Sequence, residues 1–290
     1  MTTFRGILAL FLWSLGALFA SILHRIPPWE FFAILWGTGS LCTYFHLYRK
    51  KRLHILRELP WDGWMISIFF ALGNQLAFAL SYRLAPPEQI DLINYSWPLL
   101  VLSCVGFIPG ERFSLRMFTA AGIGFYGVYM LLKPDLVNAE LRTEHLPGYL
   151  TALFASVGWA GYILYSRKKS HYPCELLCLA MPLGALLALY GHRQYEQYVA
   201  PTLIEWAALI FWGGAILSTS YWLWDEAVKR GNFQLLNVLS YFTPLVSVNF
   251  LLLFGYVKAS PTLVVAYVLV VAGTLLGIMR QQQEAKAALA

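Results

Sequence analysis

The chain has 290 residues, of which 59% are apolar, 16% aromatic and only 12% charged, about half the ~25% charge of an ordinary soluble domain. That balance excludes a water-soluble globule and fits a chain whose outer face is solvated by lipid. The formal charge of +6 would attract nucleic acid in a soluble protein, but its distribution among the connections reads as an orientation signal, and no nucleic-acid partner is expected.

Sustained apolar runs predict spans near 4–23, 29–48, 63–81, 87–107 and 115–132, then near 147–165, 175–191, 204–224, 232–252 and 261–279. At about 20 residues each, ten spans consume most of the chain and leave no room for a folded soluble domain. Arg5 precedes the first run, and Ala17 and Ala20 imitate a cleavage site. The run is long for a signal peptide and a similar segment recurs in mid-chain, so it reads as a retained span. The seventh run is short and contains Pro182, and residues 281–290 read as a polar cytoplasmic tail.

Alternate connections differ in charge. One set holds Arg5, Arg49, Lys50, Lys51, Arg52, Arg57, Arg112, Arg116, Arg167, Lys168, Lys169, Lys229, Arg230, Arg280 and Lys286; the other holds only Arg25, Arg83, Lys133, Arg142, Arg193 and Lys258. Cationic residues mark the cytoplasmic side, so both termini are expected there and the span number is even.

The two halves resemble each other weakly. Gly6, Ser14 and Gly16 match Gly148, Ser156 and Gly158 at a shift of 142 residues, and Tyr95, Pro98, Leu99, Ser114 and Gly127 match Tyr241, Pro244, Leu245, Ser260 and Gly273 at a shift of 146. Five spans per half is an odd number, so the second half would lie upside down relative to the first. The predicted fold is therefore all-α and integral to the membrane: ten transmembrane helices as two inverted repeats, 1–146 and 147–280, around a central cavity. Such symmetry is a recurring device of secondary transporters, which bind cargo at the repeat interface and rock about it. Pro98 and Pro244 occupy matching mid-span positions, where a missing donor and a ring clash kink or loosen one turn; they are the predicted hinges.

At 1.5 Å per residue, Tyr95 and Trp97 fall roughly 12–15 Å inside span 4, near the middle of a ~30 Å core. Asn74, Gln75, Trp159 and Tyr241 reach comparable depth. With Asn94 nearby, these groups would either glue helices together or line a pocket, with aromatic walls for stacking and amides for the cargo's polar end. Glu88 and Asp91 in the first turn of span 4, and Asp225 and Glu226 at the inner end of span 8, read as interfacial. With no carboxylate or His at the centre, a passive carrier is expected, and Asp91 is the first candidate for proton coupling. Gly273 and Gly277 form a GxxxG that reads as packing within one chain, so a monomer is expected, with a dimer as the alternative.

Chemistry-bearing motifs are absent. The chain has no phosphate-binding P-loop, no HExxH and no convincing Ser/His/Asp set, and its His residues fall in loops or near span ends. Cys42, Cys104, Cys174 and Cys178 form no metal-ligand spacing. Neither an enzyme, a metal site nor a cofactor is expected.

Two stretches, Asn94-Tyr95-Ser96-Trp97-Pro98 and Ser240-Tyr241-Phe242-Thr243-Pro244, make the chain resemble the drug/metabolite transporter superfamily of the EamA type, and within it the bacterial exporters of aromatic amino acids. Trp159-Ala160-Gly161-Tyr162 and Gly231-Asn232 add to the likeness. The resemblance implies a basket-like bundle in a bacterial inner membrane, a cavity lined by spans 1, 3, 4, 6, 8 and 9, and export of aromatic or other apolar amino acids. Carried over by position, Asn74, Phe78, Tyr95, Trp97 and Trp159 would line that cavity. The exporter pattern has Tyr where this chain has Asn74 and no carboxylate corresponding to Asp225, which leaves cargo identity open to other metabolites or drugs, or to proton coupling. A membrane scaffold that transports nothing is the alternative of a different class.

Overall fold

The computed structural model describes residues 1–136, 142–258 and 260–289, and among them every regular element is helical. The chain begins with α1 (Thr2–Ser14) and α2 (Gly16–Ile22), interrupted at Leu15, followed by α3 (Pro28–Arg49) and a short α4 (Ile55–Glu58). Helices α5 (Trp61–Ile68) and α6 (Gln75–Leu84) are joined without a loop by a π-helical stretch, Phe69–Asn74. Next come α7 (Pro87–Asn94), α8 (Trp97–Cys104), α9 (Leu115–Leu136) and α10 (Leu146–Lys168). After α11 (Leu176–Leu179) and α12 (Met181–Tyr195), α13 (Leu203–Ile210) and α14 (Ser218–Arg230) flank a second π-helical stretch, Phe211–Leu217. The fold closes with α15 (Phe233–Leu239), α16 (Phe242–Leu253) and α17 (Pro261–Leu289), whose helix runs on through most of the expected tail.

Prolines start many of these helices because a missing N–H costs nothing in the first turn: Pro28, Pro87, Pro98, Pro147 and Pro182 all lie at the first or second helical position. Thr202 starts α13 differently, through a reciprocal capping box with Glu205.

Among the described residues, seven helical stretches are long and apolar enough to cross a membrane: Thr2–Ile22, Trp61–Leu84, Pro87–Phe107, Leu115–Lys133, Leu203–Arg230, Phe233–Leu253 and Pro261–Met279. The other three predicted spans are helical but fall short in length or hydropathy. The reason is visible in their packing. Helix α10 packs against α6, α7, α8 and α14, and α3 lies along α12 and the second π-helical stretch, while each keeps an exposed apolar face. A helix face packed on protein can carry Gly, Ser, Trp and Tyr in place of aliphatic side chains.

The outer surface exposes Phe4, Phe11, Leu41, Phe45 and Val268. A water-soluble protein does not expose apolar groups on this scale. Inside, α9 pairs with α17, where a Cβ on Gly273 would come within 2.6 Å of the Ala120 carbonyl oxygen. The GxxxG of the last span is thus used between helices of the same chain.

Both predicted proline defects are present. Helix ends at Asn94 and restarts at Trp97, just before Pro98; it ends again at Leu239 and restarts at Phe242, just before Pro244. Pro98 cannot donate to the Asn94 carbonyl, and Ser156 Oγ from α10 donates to that oxygen instead, at 3.2 Å.

Candidate functional site

Seven aromatic rings meet at the centre of the bundle. Trp13 comes from α1, Phe70 from the first π-helical stretch, Trp97 from α8, Trp159 and Tyr162 from α10, and Tyr221 and Trp224 from α14. Trp159 is the hub. Its ring centroid lies 5.3 Å from Tyr162, 5.4 Å from Phe70, 5.8 Å from Trp13, 6.1 Å from Tyr221, 6.2 Å from Trp97 and 6.4 Å from Trp224, the last in a stacked geometry. Ring pairs at such separations contribute about 0.5–1.5 kcal/mol beyond the area they bury. Trp224 is wholly buried, and its indole N–H has no acceptor among the described residues.

The residues singled out from sequence fall in several separate places. Trp97 and Trp159 enter the ring cluster. Asn74 is buried at its α10 edge, where its amide donates to the Ala155 carbonyl at 2.6 Å; Gln75 Nε2 reaches the Asn74 side-chain oxygen at 3.5 Å. Asn74 thus ties two helices together. Phe78 stacks edge-on against Tyr82 and packs with Ala85, Ile90 and Ala152, and Asp91 accepts a hydrogen bond from the Tyr82 hydroxyl. Asn94 is half-buried beside the break, and its carbonyl is the one that Ser156 serves. Tyr95 and Tyr241 belong to a different apolar group, between α9 and α17, where Tyr241 is wholly buried against Gly124.

A cavity of about 570 Å³ lies elsewhere, walled among others by His46, Arg52, Tyr172, Glu175, Trp222 and Arg230. None of the residues expected to line a central hollow touches it, because the rings that were to form the walls are packed against one another. Burial pushes the Cys174 thiol on its wall up to about 12, so that group stays neutral.

Sequence reasoning placed Asp225 at the interface, and the structure corrects this. Asp225 is fully buried and pairs with Lys229, one turn on, at 2.5 Å. Its other oxygen, Oδ1, accepts from the Tyr162 hydroxyl and from Ser166 Oγ. Asp225 lies more than a turn before the end of α14 at Arg230, and the helix faces α10 there rather than water. Trp13, Phe70, Tyr221 and Trp224 also went unforeseen. The spacing of Tyr221, Trp224, Asp225 and Val228 marks one buried face of α14, but such a stripe does not say what it meets.

Ion pairs close both ends of the bundle. Arg5 pairs with Glu226, Arg52 with Glu175, and Arg167 with Glu111, while Arg167 also donates to the carbonyls of Val228, Lys229 and Gly231. At the other end Arg25 grips Glu205 with two hydrogen bonds, and Glu196 takes Arg83 together with the N–H groups of Trp29 and Glu30 at the start of α3.

The EamA-like transporter family matches the chain twice, over residues 3–133 and again over 146–279. The chain belongs to the EamA-like transporter family. Its EamA-type relatives include the aromatic amino acid exporter YddG of Ancylobacter novellus, 33% identical over 275 residues, which cover 93% of this chain and 94% of that one. The exporter of the same name in Escherichia coli K12 is 22% identical, covering 84% and 85% of the two chains. An S-adenosylmethionine uptake transporter of Rickettsia bellii is 23% identical, over 63% of this chain and 56% of its own. One solved crystal structure superimposes with a TM-score of 0.89 at 29% identity, covering 96% of each chain. This EamA-family chain is accordingly a multi-pass membrane transporter and not an enzyme.

Proposed function

We propose that the protein is a secondary exporter of aromatic amino acids that works by alternating access. The observation that carries this reading is the ring cluster around Trp159: five helical segments converge to present stacking surface, and the buried Trp224 N–H is left over for a polar group of the cargo. The names of the relatives that cover almost the whole chain agree with it.

The architecture in this reading is ten spans in two inverted repeats with both termini cytoplasmic. The twofold family match supports it. So do the π-helical stretches, which begin 142 residues apart at Phe69 and Phe211, and the paired breaks before Pro98 and Pro244. These ion pairs agree with the charge count among the described residues: Arg5, Arg52, Arg167, Lys169 and Lys229 find partners at one end, Arg25 and Arg83 at the other. The broken helices are the hinges of the rocking motion, which brings Tyr95 and Asn94 toward or away from the rings and opens the cavity between them. Asn74, Gln75, Phe78 and Tyr241 support that cavity's walls. Transport is passive, and the in-chain use of Gly273 fits a monomer.

The test is reconstitution into sealed vesicles with labelled phenylalanine and tryptophan. Trp97→Ala and Trp159→Ala are expected to slow flux at least about tenfold while the protein remains folded. Vesicles that move neither amino acid refute the cargo. A second reading, export of other small metabolites, draws on the S-adenosylmethionine relatives; competition by a solute panel decides between the two.

A further inference from the structure

The ring cluster has no charge of its own, yet an amino acid arrives with two. Taking an ammonium and a carboxylate out of water without partners is prohibitive, so a carrier of zwitterions needs an opposite charge for each. One buried ion pair lies beside the rings. Asp225 follows Trp224 directly, and its Oδ1 is held by Tyr162, itself a member of the cluster, and by Ser166. Oδ2 is different: its partner among the described residues is the Lys229 ammonium, at 2.5 Å. One face of the carboxylate is therefore held by neutral hydroxyls and the other by a single cation.

Lys229 Nζ donates to the carbonyls of Tyr172 and Pro173, at 3.0 and 3.2 Å, and those two residues wall the 570 Å³ cavity. Helix α14 separates the two spaces. Thr219, Glu226 and Arg230 line the cavity, Trp222 and Leu223 touch both it and the aromatic core, and Tyr221 and Trp224 belong to the core, where Asp225 is bonded by Tyr162. Lys229 thus links two carbonyls of cavity-wall residues to a carboxylate beside the rings. As a stability device such a pair is poor, since apolar side chains of the same volume pack as well or better.

Building on the proposed function, we propose that Asp225 and Lys229 read the charged ends of a zwitterionic cargo. The cargo ammonium replaces Lys229 on Asp225 Oδ2, and the freed Lys229 takes the cargo carboxylate, with the ring against Trp159 and Trp224. The Lys229 side chain occupies the cargo's place in the empty carrier. Each charge stays paired throughout, and the net charge of the site is unchanged by loading.

The experiment is counterflow of labelled phenylalanine in vesicles, competed by unlabelled phenylalanine, by phenylethylamine, which lacks the carboxylate, and by 3-phenylpropionate, which lacks the ammonium. In the wild type both analogues are expected to compete about tenfold or more weakly, because each leaves one member of the pair without a partner. Lys229→Met is expected to prefer phenylethylamine, and Asp225→Asn to prefer 3-phenylpropionate. Either single change strands a buried charge, so the double variant Asp225→Asn/Lys229→Met, which removes both, guards against misfolding. It is expected to unfold at the wild-type temperature and to accept the three solutes within about threefold of one another. A folded double variant that keeps the wild-type order overturns the assignment, as does an equal loss of all three solutes in the single variants. Wild-type vesicles that move no phenylalanine refute the cargo reading instead, so the two failures are told apart.

Discussion

The contact between Asn74 and Gly158 makes the most exacting test of how the site is built. A Cβ at position 158 would sit 2.7 Å from Asn74 Nδ2 and 3.2 Å from the Phe69 ring, so Gly158→Ala drives the amide off the Ala155 carbonyl that it holds at 2.6 Å. Alanine favours the helix by about 1 kcal/mol over glycine. Against that stand a buried amide left unpaired, about 1–3 kcal/mol, and overpacking of a tight contact, about 1–3 kcal/mol. The expected net loss is about 1–5 kcal/mol, measured by denaturant titration in detergent. Asn74→Ala alone removes the hydrogen bond and its donor together, which costs about 0.6 kcal/mol on the average for membrane helices. In the double variant the new methyl group fills the space that the amide vacates. The two changes are therefore expected to couple favourably by about 1–2 kcal/mol. Strictly additive effects would show that Gly158 does not make room for Asn74, and the reasoning would fail.

Further predictions concern packing, topology and coupling. Gly273→Val forces α17 away from the Ala120 backbone and is expected to destabilise the fold by about 1–3 kcal/mol, read by thermal unfolding. On a background with all four cysteines replaced by serine, Phe4→Cys and Lys50→Cys are expected to react with an impermeant thiol reagent from one side of sealed vesicles and Tyr198→Cys from the other; labelling of all three from one side would contradict the topology. A passive carrier predicts that an imposed pH gradient changes phenylalanine flux by less than about twofold. A strong response abolished by Asp91→Asn would make that carboxylate the coupling group.

Several features of this chain could be read before any coordinates. Its membrane character follows from composition, because lipid-facing residues need no partner beyond their own apolar surface. The helix breaks before Pro98 and Pro244 follow from a missing N–H, a property of one residue and its own turn. Trp97 and Trp159 stand out because large aromatic groups at mid-span depth must meet something. The spans of α3 and α10 were legible as apolar runs but fall below the other helices in length or hydropathy, because the faces they turn toward neighbouring helices carry Gly, Ser, Trp and Tyr.

The tertiary structure decided which faces meet. Asn74 and Tyr241 have the same depth and polarity as the ring-cluster residues, yet one binds a neighbouring backbone and the other packs under α9. Asp225 sits where a residue count puts the interface, but α10 supplies two of its partners, and the 172–173 segment binds the Lys229 that pairs with it. Periodicity and hydropathy are local along the chain, so they locate a buried face and its depth. The identity of what lies across from that face depends on segments some 60 to 80 residues away, and only folding brings those together.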